Sequence, residues 1–216
     1  MNLDNLLFGK INIPIIDKSA AVAAILPLID NHKFWDPYRA ITMIPLMTKT
    51  GEPGLAKASN RFEGDFTWTE YAPEIIKQYF ENTVFPWLGQ RSRLMILITE
   101  PGESNAEHID CKLHEIGTRQ HKFRIVLQGR VDTLYFKTTR GNIFVPEVDG
   151  AFLMDGSWVH GMTNSTDEIK ITLALGSPWK GLDNYNSDVT MLLDKQDFVM
   201  PADLTPYMEK PGGATY

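Results

Sequence analysis

The sequence has a single cysteine, Cys111, among its 216 residues, so it holds no internal disulfide and no zinc site built from several cysteines. Basic residues are also few, since 21 Lys and Arg stand against 27 Asp and Glu and give a formal net charge of −6. Nucleic-acid binders concentrate Lys and Arg, so we expect no nucleic-acid partner. The longest apolar run, residues 20–29, is far shorter than the roughly 20 residues that a membrane span needs.

Targeting signals and several common catalytic motifs are missing as well. The first residues, 1–7, lack the basic start and the small-residue cleavage site of a signal peptide, and we expect a cytoplasmic protein without a membrane partner. Gly-rich phosphate loops and the Gly-x-Ser-x-Gly elbow of hydrolases are absent. The remaining composition is that of a globular protein, because 43% of the residues are hydrophobic and 22% are charged.

The length predicts one domain, residues 1–216, in which three parts differ in pattern. Residues 1–90 mix helices and strands and should flank the core. One helix is expected after Asp17 and should kink or end at Pro27, and another should start at Pro73 and end before Pro86. Residues 91–180 read as a strand-rich core, and residues 181–216 as a C-terminal tail with one short helix.

The core region consists of short apolar or alternating runs that turn signals such as Pro101-Gly102 and Asp155-Gly156 separate. The eight runs are residues 93–99, 106–113, 122–127, 133–138, 142–145, 151–154, 157–162 and 168–175. Strands at this spacing, with no helical pattern between them, predict an antiparallel barrel or a two-sheet jelly roll. The expected fold class is therefore mainly β with flanking helices.

A candidate metal site lies in this core. His108 and Asp110 are two residues apart, and on a strand two such side chains point to the same face. His160 lies in a strand-like run that precedes the last strand of the core. Two histidines and one carboxylate are the facial triad of non-haem iron(II) oxygenases, which leaves three positions of the octahedron open. A pair of polar side chains at a strand edge is the alternative.

Two basic residues are predicted to point into the barrel. Residues 169–175 place isoleucine and leucine on one face of a strand and Lys170 and Thr172 on the other, and Arg124 is likewise opposite the apolar face of its strand. An unpaired ammonium inside a barrel costs several kcal/mol, so an interior Lys170 implies a bound anion. Two cations near a metal suit a dicarboxylate that chelates iron at one end and is gripped at the other. A solvent-exposed face is the alternative.

The order His108-x-Asp110, His160, Lys170 and Thr172 resembles the motif of the Fe(II)/2-oxoglutarate-dependent oxygenases. The resemblance covers about residues 91–179. Within that superfamily, residues 123–127, 150–161 and 164–173 are similar to the aspartyl/asparaginyl β-hydroxylase branch. That branch typically lacks the metal-binding carboxylate and carries arginine at the position of Lys170, so this chain departs from it at two places.

The resemblance implies a double-stranded β-helix core of the jelly-roll, cupin-like type. It implies Fe(II) held by His108, Asp110 and His160, and 2-oxoglutarate as a co-substrate whose distal carboxylate Lys170 and Thr172 bind. Arg124 would assist the co-substrate or bind a substrate carboxylate. The implied reaction consumes O₂, releases succinate and CO₂, and hydroxylates an amino-acid or peptidyl side chain, such as that of Asp, Asn or Pro.

Two other functions are compatible with the same fold. In a cupin-type metalloenzyme that does not use 2-oxoglutarate, His114 and Glu115 would extend the metal site, and Gly156-x₃-His160-x₃-Asn164 resembles the second cupin motif. Lys170 has no role in such an enzyme. A jelly-roll binding protein without catalytic activity would fold but take up no metal.

Overall fold

A computed structural model describes residues 3–36, 40–53, 66–89, 91–111, 121–176 and 188–208. The strands among these residues are β1 (Leu6–Ile11), β2 (Phe34–Asp36), β3 (Ile41–Thr48), β4 (Thr67–Trp68), β5 (Leu94–Thr99), β6 (Ser104–His108), β7 (His121–Gln128), β8 (Leu134–Thr138), β9 (Gly141–Phe144), β10 (Ala151–Asp155), β11 (His160–Thr163), β12 (Lys170–Leu175) and β13 (Val189–Asp194). The α-helices are α1 (Lys18–His32), α2 (Glu74–Tyr79) and α3 (Phe85–Leu88), and a π-helical turn, Phe80–Val84, joins the last two.

The strands form two antiparallel sheets. The larger has the order β13-β1-β10-β7-β12-β5-β3-β2, and the smaller has the order β6-β11-β8-β9. The eight strands from β5 to β12 thus pass back and forth between a β5-β12-β7-β10 layer and a β6-β11-β8-β9 layer. This interleaving is a double-stranded β-helix, and it confirms the predicted fold class.

Alternation along β7 separates the core from the interior cavity. Phe123 and Ile125 are buried in the main hydrophobic cluster together with Ile25 of α1, and each such side chain contributes about 1.5–3 kcal/mol through its burial. Lys122 and Arg124 point to the opposite face of the strand and line a cavity. The larger sheet is therefore apolar toward the helices and cationic toward the cavity.

Helix α1 begins where the sequence predicts, because the Asp17 carboxylate accepts a hydrogen bond from the Ala20 N–H at 3.0 Å. The prediction expected the helix to kink or end at Pro27. The helix does not end there but continues to His32. Proline removes one backbone hydrogen bond, and burial of Ile25 and Ile29 on either side of it offsets this loss. No described helix combines the length and the hydropathy needed to cross a bilayer.

The second predicted helix is longer than expected. Pro73 is its N-cap, and the helical backbone passes through the π turn and α3 before Gly89 closes it in the left-handed conformation at φ 70°. The prediction of an end before Pro86 is therefore wrong. Pro86 lies in the first turn of α3, where a missing N–H is tolerated, and the buried rings of Phe80 and Phe85 pack against each other there, 5.5 Å apart.

The C-terminal region also differs from its prediction as a tail with one short helix. Its described part, residues 188–208, contains β13, which pairs with β1 and extends the larger sheet. Short 3₁₀ turns follow at Lys195–Asp197 and Thr205–Tyr207. Lys195 forms an ion pair with the fully buried carboxylate of Asp155 at the end of β10.

We expect Lys195→Met to lower the free energy of unfolding by about 2 kcal/mol, because it leaves the buried Asp155 carboxylate without its ammonium partner. Lys18→Met is the matched control, since it breaks an exposed pair with Asp149 and should cost less than about 1 kcal/mol. Urea denaturation of both variants measures the difference. Equal losses would show that the Lys195–Asp155 pair does not stabilise the C-terminal segment.

Candidate metal centre

The three predicted metal ligands meet between the two sheets. His108 ends β6 and His160 begins β11, and these two residues pair directly in the smaller sheet. Asp110 lies two residues beyond the end of β6, so the prediction that it shares a strand with His108 is wrong. Its N–H donates to the Gly156 carbonyl at 2.7 Å, which draws the chain away from β11 and ends the strand.

The ligand atoms of the triad are close enough to share one ion. The Nε2 atom of His108 is 3.5 Å from Oδ1 of Asp110, and Nε2 of His160 is 3.7 Å from Oδ2. All three ligand atoms lie within 4.8 Å of one another. The predicted convergence of His108, Asp110 and His160 is thereby confirmed.

Backbone carbonyls orient both imidazoles. Nδ1 of His108 lies 2.7 Å from the Ala106 carbonyl, and Nδ1 of His160 lies 2.8 Å from the Trp158 carbonyl. A carbonyl only accepts, so Nδ1 is the protonated nitrogen in each neutral ring, and Nε2 keeps its lone pair. In both residues that lone pair is on the nitrogen nearest Asp110, the arrangement that metal-binding histidines adopt.

The electrostatics of the triad favour metal binding over proton binding at neutral pH. Burial lowers the pKa of His160 to about 3. Burial by itself would raise the pKa of Asp110, but the positive charge of the Lys122 ammonium holds it well below its ordinary value. At pH 7 the site therefore presents a neutral imidazole at His160 and an ionised carboxylate at Asp110.

The triad opens into a cavity of about 110 Å³ between the sheets. Besides the triad, four cationic side chains are among its described lining residues: Arg93, Lys122, Arg124 and Lys170. Asp110 carries the one carboxylate among the described residues that line the cavity. A cavity with this balance of charge attracts anionic molecules.

Lys170 lines the cavity, beside Thr172 on the same face of β12. Its side chain is buried, and Nζ donates a hydrogen bond to Oγ1 of Thr133 at 2.5 Å. Gly129, at φ 85°, packs against it, and a Cβ atom at that position would lie 3.1 Å from Cβ and Cγ of Lys170. A glycine therefore leaves the room that the lysine side chain occupies.

Burial also changes the titration of Lys170. It lowers the pKa of the ammonium to about 8, although the negative charges of Glu147 and Asp132 act in the opposite direction. The group is charged at neutral pH and loses its charge under mildly alkaline conditions.

Arg124 occupies a different part of the cavity from Lys170. Its Nη1 donates to the carbonyls of Phe123 and Leu175 at 3.0 and 3.1 Å, and its Nη2 is 3.9 Å from Oδ2 of Asp110. The guanidinium is therefore fixed next to the metal position rather than next to Lys170.

Three residues of the site are absent from the sequence-based prediction. Lys122 is two positions before Arg124, and the same strand alternation could have identified it; its Nζ is 3.9 Å from Oδ2 of Asp110. Arg93 lines the cavity just before β5. Thr133 ends a short 3₁₀ turn, and no local pattern indicates that its hydroxyl lies next to Lys170.

The additional residues of the cupin interpretation gain no support. His114 and Glu115 lie outside the described residues. Asn164 is fully buried and stabilises the turn between β11 and β12, because its Nδ2 donates to the carbonyls of Thr99 and Glu168 at 3.0 and 2.8 Å. Its part in the cupin-like spacing is explained by this turn.

No protein-family model matches the sequence, and no curated protein matches it. Among solved structures, a prolyl-4-hydroxylase from Pseudomonas putida is similar at 14% identity and a TM-score of 0.49, over 82% of this chain and 95% of that one. SnoN, a non-haem α-ketoglutarate-dependent epimerase of nogalamycin biosynthesis, is similar at 11% identity and a TM-score of 0.48, over 80% of this chain and 77% of that one. A cupin domain from Bordetella pertussis is similar at 12% identity and a TM-score of 0.30, over 40% and 81%. At such identities the chemistry has to be inferred from the side chains of this site.

Proposed function

We propose that this protein is an Fe(II)- and 2-oxoglutarate-dependent dioxygenase that hydroxylates its substrate. The observation that carries the proposal is the occurrence of His108, Asp110 and His160 in one cavity with a buried lysine, Lys170. The triad would bind the iron, and the lysine would bind the distal carboxylate of 2-oxoglutarate. A cupin-type enzyme that does not use 2-oxoglutarate has no need for a buried ammonium, whose burial is unfavourable.

The residues of the triad fit a divalent iron ion. Two imidazole nitrogens and one carboxylate oxygen are the donors that non-haem Fe(II) takes on one face of an octahedron. Their separations of 3.5 and 3.7 Å leave room for an ion between them. Bound there, Fe(II) would supply the oxidation of the substrate by O₂, coupled to decarboxylation of 2-oxoglutarate to succinate and CO₂.

The protein's own contribution is binding, orientation and exclusion of water. Lys170 and Thr172 would hold the distal carboxylate of 2-oxoglutarate, and the hydroxyl of Thr133 fixes the position of the ammonium. The carbonyls of Ala106 and Trp158 hold the two imidazoles in one tautomer. Burial of these groups makes each electrostatic interaction stronger than it would be in water.

An amino-acid or peptidyl side chain, such as that of Asp, Asn or Pro, is the substrate class that we propose on the basis of the resemblance to the aspartyl/asparaginyl β-hydroxylase branch. Asp110 supports hydroxylation over halogenation, because a carboxylate at this position occupies the site that a halide would need on the metal.

The direct test is anaerobic mixing of the protein with Fe(II) and 2-oxoglutarate, followed by visible spectroscopy and by measurement of succinate after O₂ is admitted. We expect a weak visible absorption band that requires both additions, and succinate release that requires Fe(II). Arg140→Gln, in the exposed turn after β8, is a control that should behave as the wild type does. Absence of the band from folded wild-type protein would exclude the proposal.

The pH dependence of 2-oxoglutarate binding follows from Lys170. Because the pKa of its ammonium is about 8, the charged form that attracts the carboxylate is lost as the pH rises through that value. We expect the Kd to be constant below pH 8 and to rise above it by up to about tenfold per pH unit. In Lys170→Arg the Kd should stay constant to about pH 10, since a guanidinium keeps its proton there. Tryptophan fluorescence can follow the titration, because Trp158 lies next to the triad.

A further inference from the structure

The cavity has a cationic group at each of two ends. Lys170 and Ala174 share one face of β12 and are four residues apart, which on a strand is roughly 13 Å. Ala174 pairs with Arg124 on β7, and Met95, which also pairs with Ala174, follows closely after Arg93. Arg93 and Arg124 therefore lie near the end of the sheet face opposite to Lys170.

The second cationic group, formed by Arg93, Lys122 and Arg124, faces the metal position. Nζ of Lys122 and Nη2 of Arg124 are both 3.9 Å from Oδ2 of Asp110. The carbonyls that accept from Nη1 hold the guanidinium of Arg124 in this direction. An anion bound to this group would lie beside the metal.

One molecule of 2-oxoglutarate does not match every cationic group of the cavity. Its terminal carboxyl carbons are separated by four C–C bonds, a span of roughly 5 Å. With its distal carboxylate on Lys170, it extends toward the metal. The three cations Arg93, Lys122 and Arg124 border the metal position, so they can also attract the anionic part of a second molecule bound beside it.

The wall between the two ends is apolar. Side chains from both sheets form it, among them Met43, Leu97, Phe152 and Met162. Methionine side chains adapt to irregular aliphatic shapes, so this wall suits a hydrocarbon body. The lining thus combines a carboxylate-binding end with an aliphatic surface.

We propose that the prime substrate is a small aliphatic carboxylic acid whose carboxylate binds Arg93, Lys122 and Arg124, with its hydrocarbon part held beside the metal. The proposal rests on the proposed function, and it favours a free acid over a prolyl or asparaginyl residue inside a peptide, since neither side chain carries a carboxylate. It also assigns Arg124 to the substrate and Lys170 to the co-substrate.

The test uses the full-length protein loaded with Mn(II) and N-oxalylglycine, an unreactive analogue of 2-oxoglutarate. Calorimetric titration with pentanoate and with its neutral counterpart pentanamide should show at least about tenfold tighter binding of the acid. Arg124→Gln and Lys122→Gln should each weaken pentanoate binding by about tenfold or more and leave N-oxalylglycine binding within about twofold. Lys170→Met should show the reverse pattern, and Arg140→Gln should match the wild type.

Arg124→Gln removes the hydrogen bonds from the guanidinium to two backbone carbonyls, and this loss could affect folding. Lys122→Gln leaves those bonds in place and is therefore the second variant. Thermal melting checks that both variants are folded. The proposal is overturned if wild-type protein does not prefer pentanoate, if the preference survives both variants, or if Arg124→Gln weakens N-oxalylglycine as much as pentanoate. If N-oxalylglycine fails to bind wild-type protein in the presence of metal, the proposed function itself is wrong.

Discussion

His160→Ala is expected to lose at least 100-fold in Fe(II) affinity and all Fe(II)-dependent succinate release. His160 supplies one of only three protein ligands of the proposed site, and removal even of groups that merely orient a ligand costs about 10–100-fold. The remaining pair, His108 and Asp110, would bind iron as weakly as many surface sites do. Anaerobic equilibrium dialysis measures the affinity, and succinate is measured after a timed exposure to O₂.

His32→Ala is the matched control for this variant. His32 belongs to α1 and stacks on Tyr71, with the ring centroids 4.1 Å apart, outside the cavity lining. It should leave both iron uptake and succinate release unchanged. Undiminished succinate formation by His160→Ala would contradict the assignment of the metal ligands.

Lys170→Ala is expected to raise the KM for 2-oxoglutarate by roughly 10–150-fold, the loss of a charge-assisted hydrogen bond of about 1.5–3 kcal/mol. Iron affinity should hardly change, because Lys170 is not a metal ligand. Lys170→Arg should be milder, since arginine also pairs with carboxylates, although its planar group needs a different shape of space. Steady-state kinetics and dialysis on the same preparations separate the two effects.

Replacement of Lys170 by an apolar residue is also expected to stabilise the protein. Burial of an ammonium is unfavourable, as its pKa of about 8 indicates, so Lys170→Met should raise the melting temperature of the metal-free protein. A variant that is more stable and binds 2-oxoglutarate more weakly would identify Lys170 as a functional rather than a structural residue. If instead Lys170→Ala binds 2-oxoglutarate normally and Arg124→Gln does not, Arg124 is the residue that holds the co-substrate.

The parts of the fold that the sequence predicts well are those with strong alternation. Strands β7 and β12 lie within two residues of their predicted bounds, because each has apolar side chains on one face and cations or hydroxyls on the other. The same alternation explains why Lys170 and Arg124 could be placed in the interior. Lys122 follows from this rule as well, although it is absent from the prediction.

The parts that the sequence does not predict depend on contacts between distant residues. β13 is recognisable only through its pairing with β1, near the other end of the chain. The early end of β6 likewise results from hydrogen bonds of the Ile109 and Asp110 N–H groups to Tyr207 and Gly156. Local propensity contains no information about such partners. For this reason the spacing His108-x-Asp110 correctly predicts that these side chains converge with His160, but it predicts the wrong backbone conformation for Asp110.

The position of β1 between β10 and β13 has a consequence for how the protein folds. Phe8 pairs with Met154, and Ile11 pairs with Val189, so the larger sheet cannot be completed on the ribosome until most of the chain has been synthesised. A fold with so many contacts of high sequence separation has a high contact order, and such proteins fold in milliseconds to seconds rather than microseconds. The N–H of Ile109, next to Asp110, donates to the carbonyl of Tyr207, which is among the last described residues and is therefore synthesised late. We therefore expect the proposed iron to load after translation, onto a folded protein, and not to guide the folding of the nascent chain.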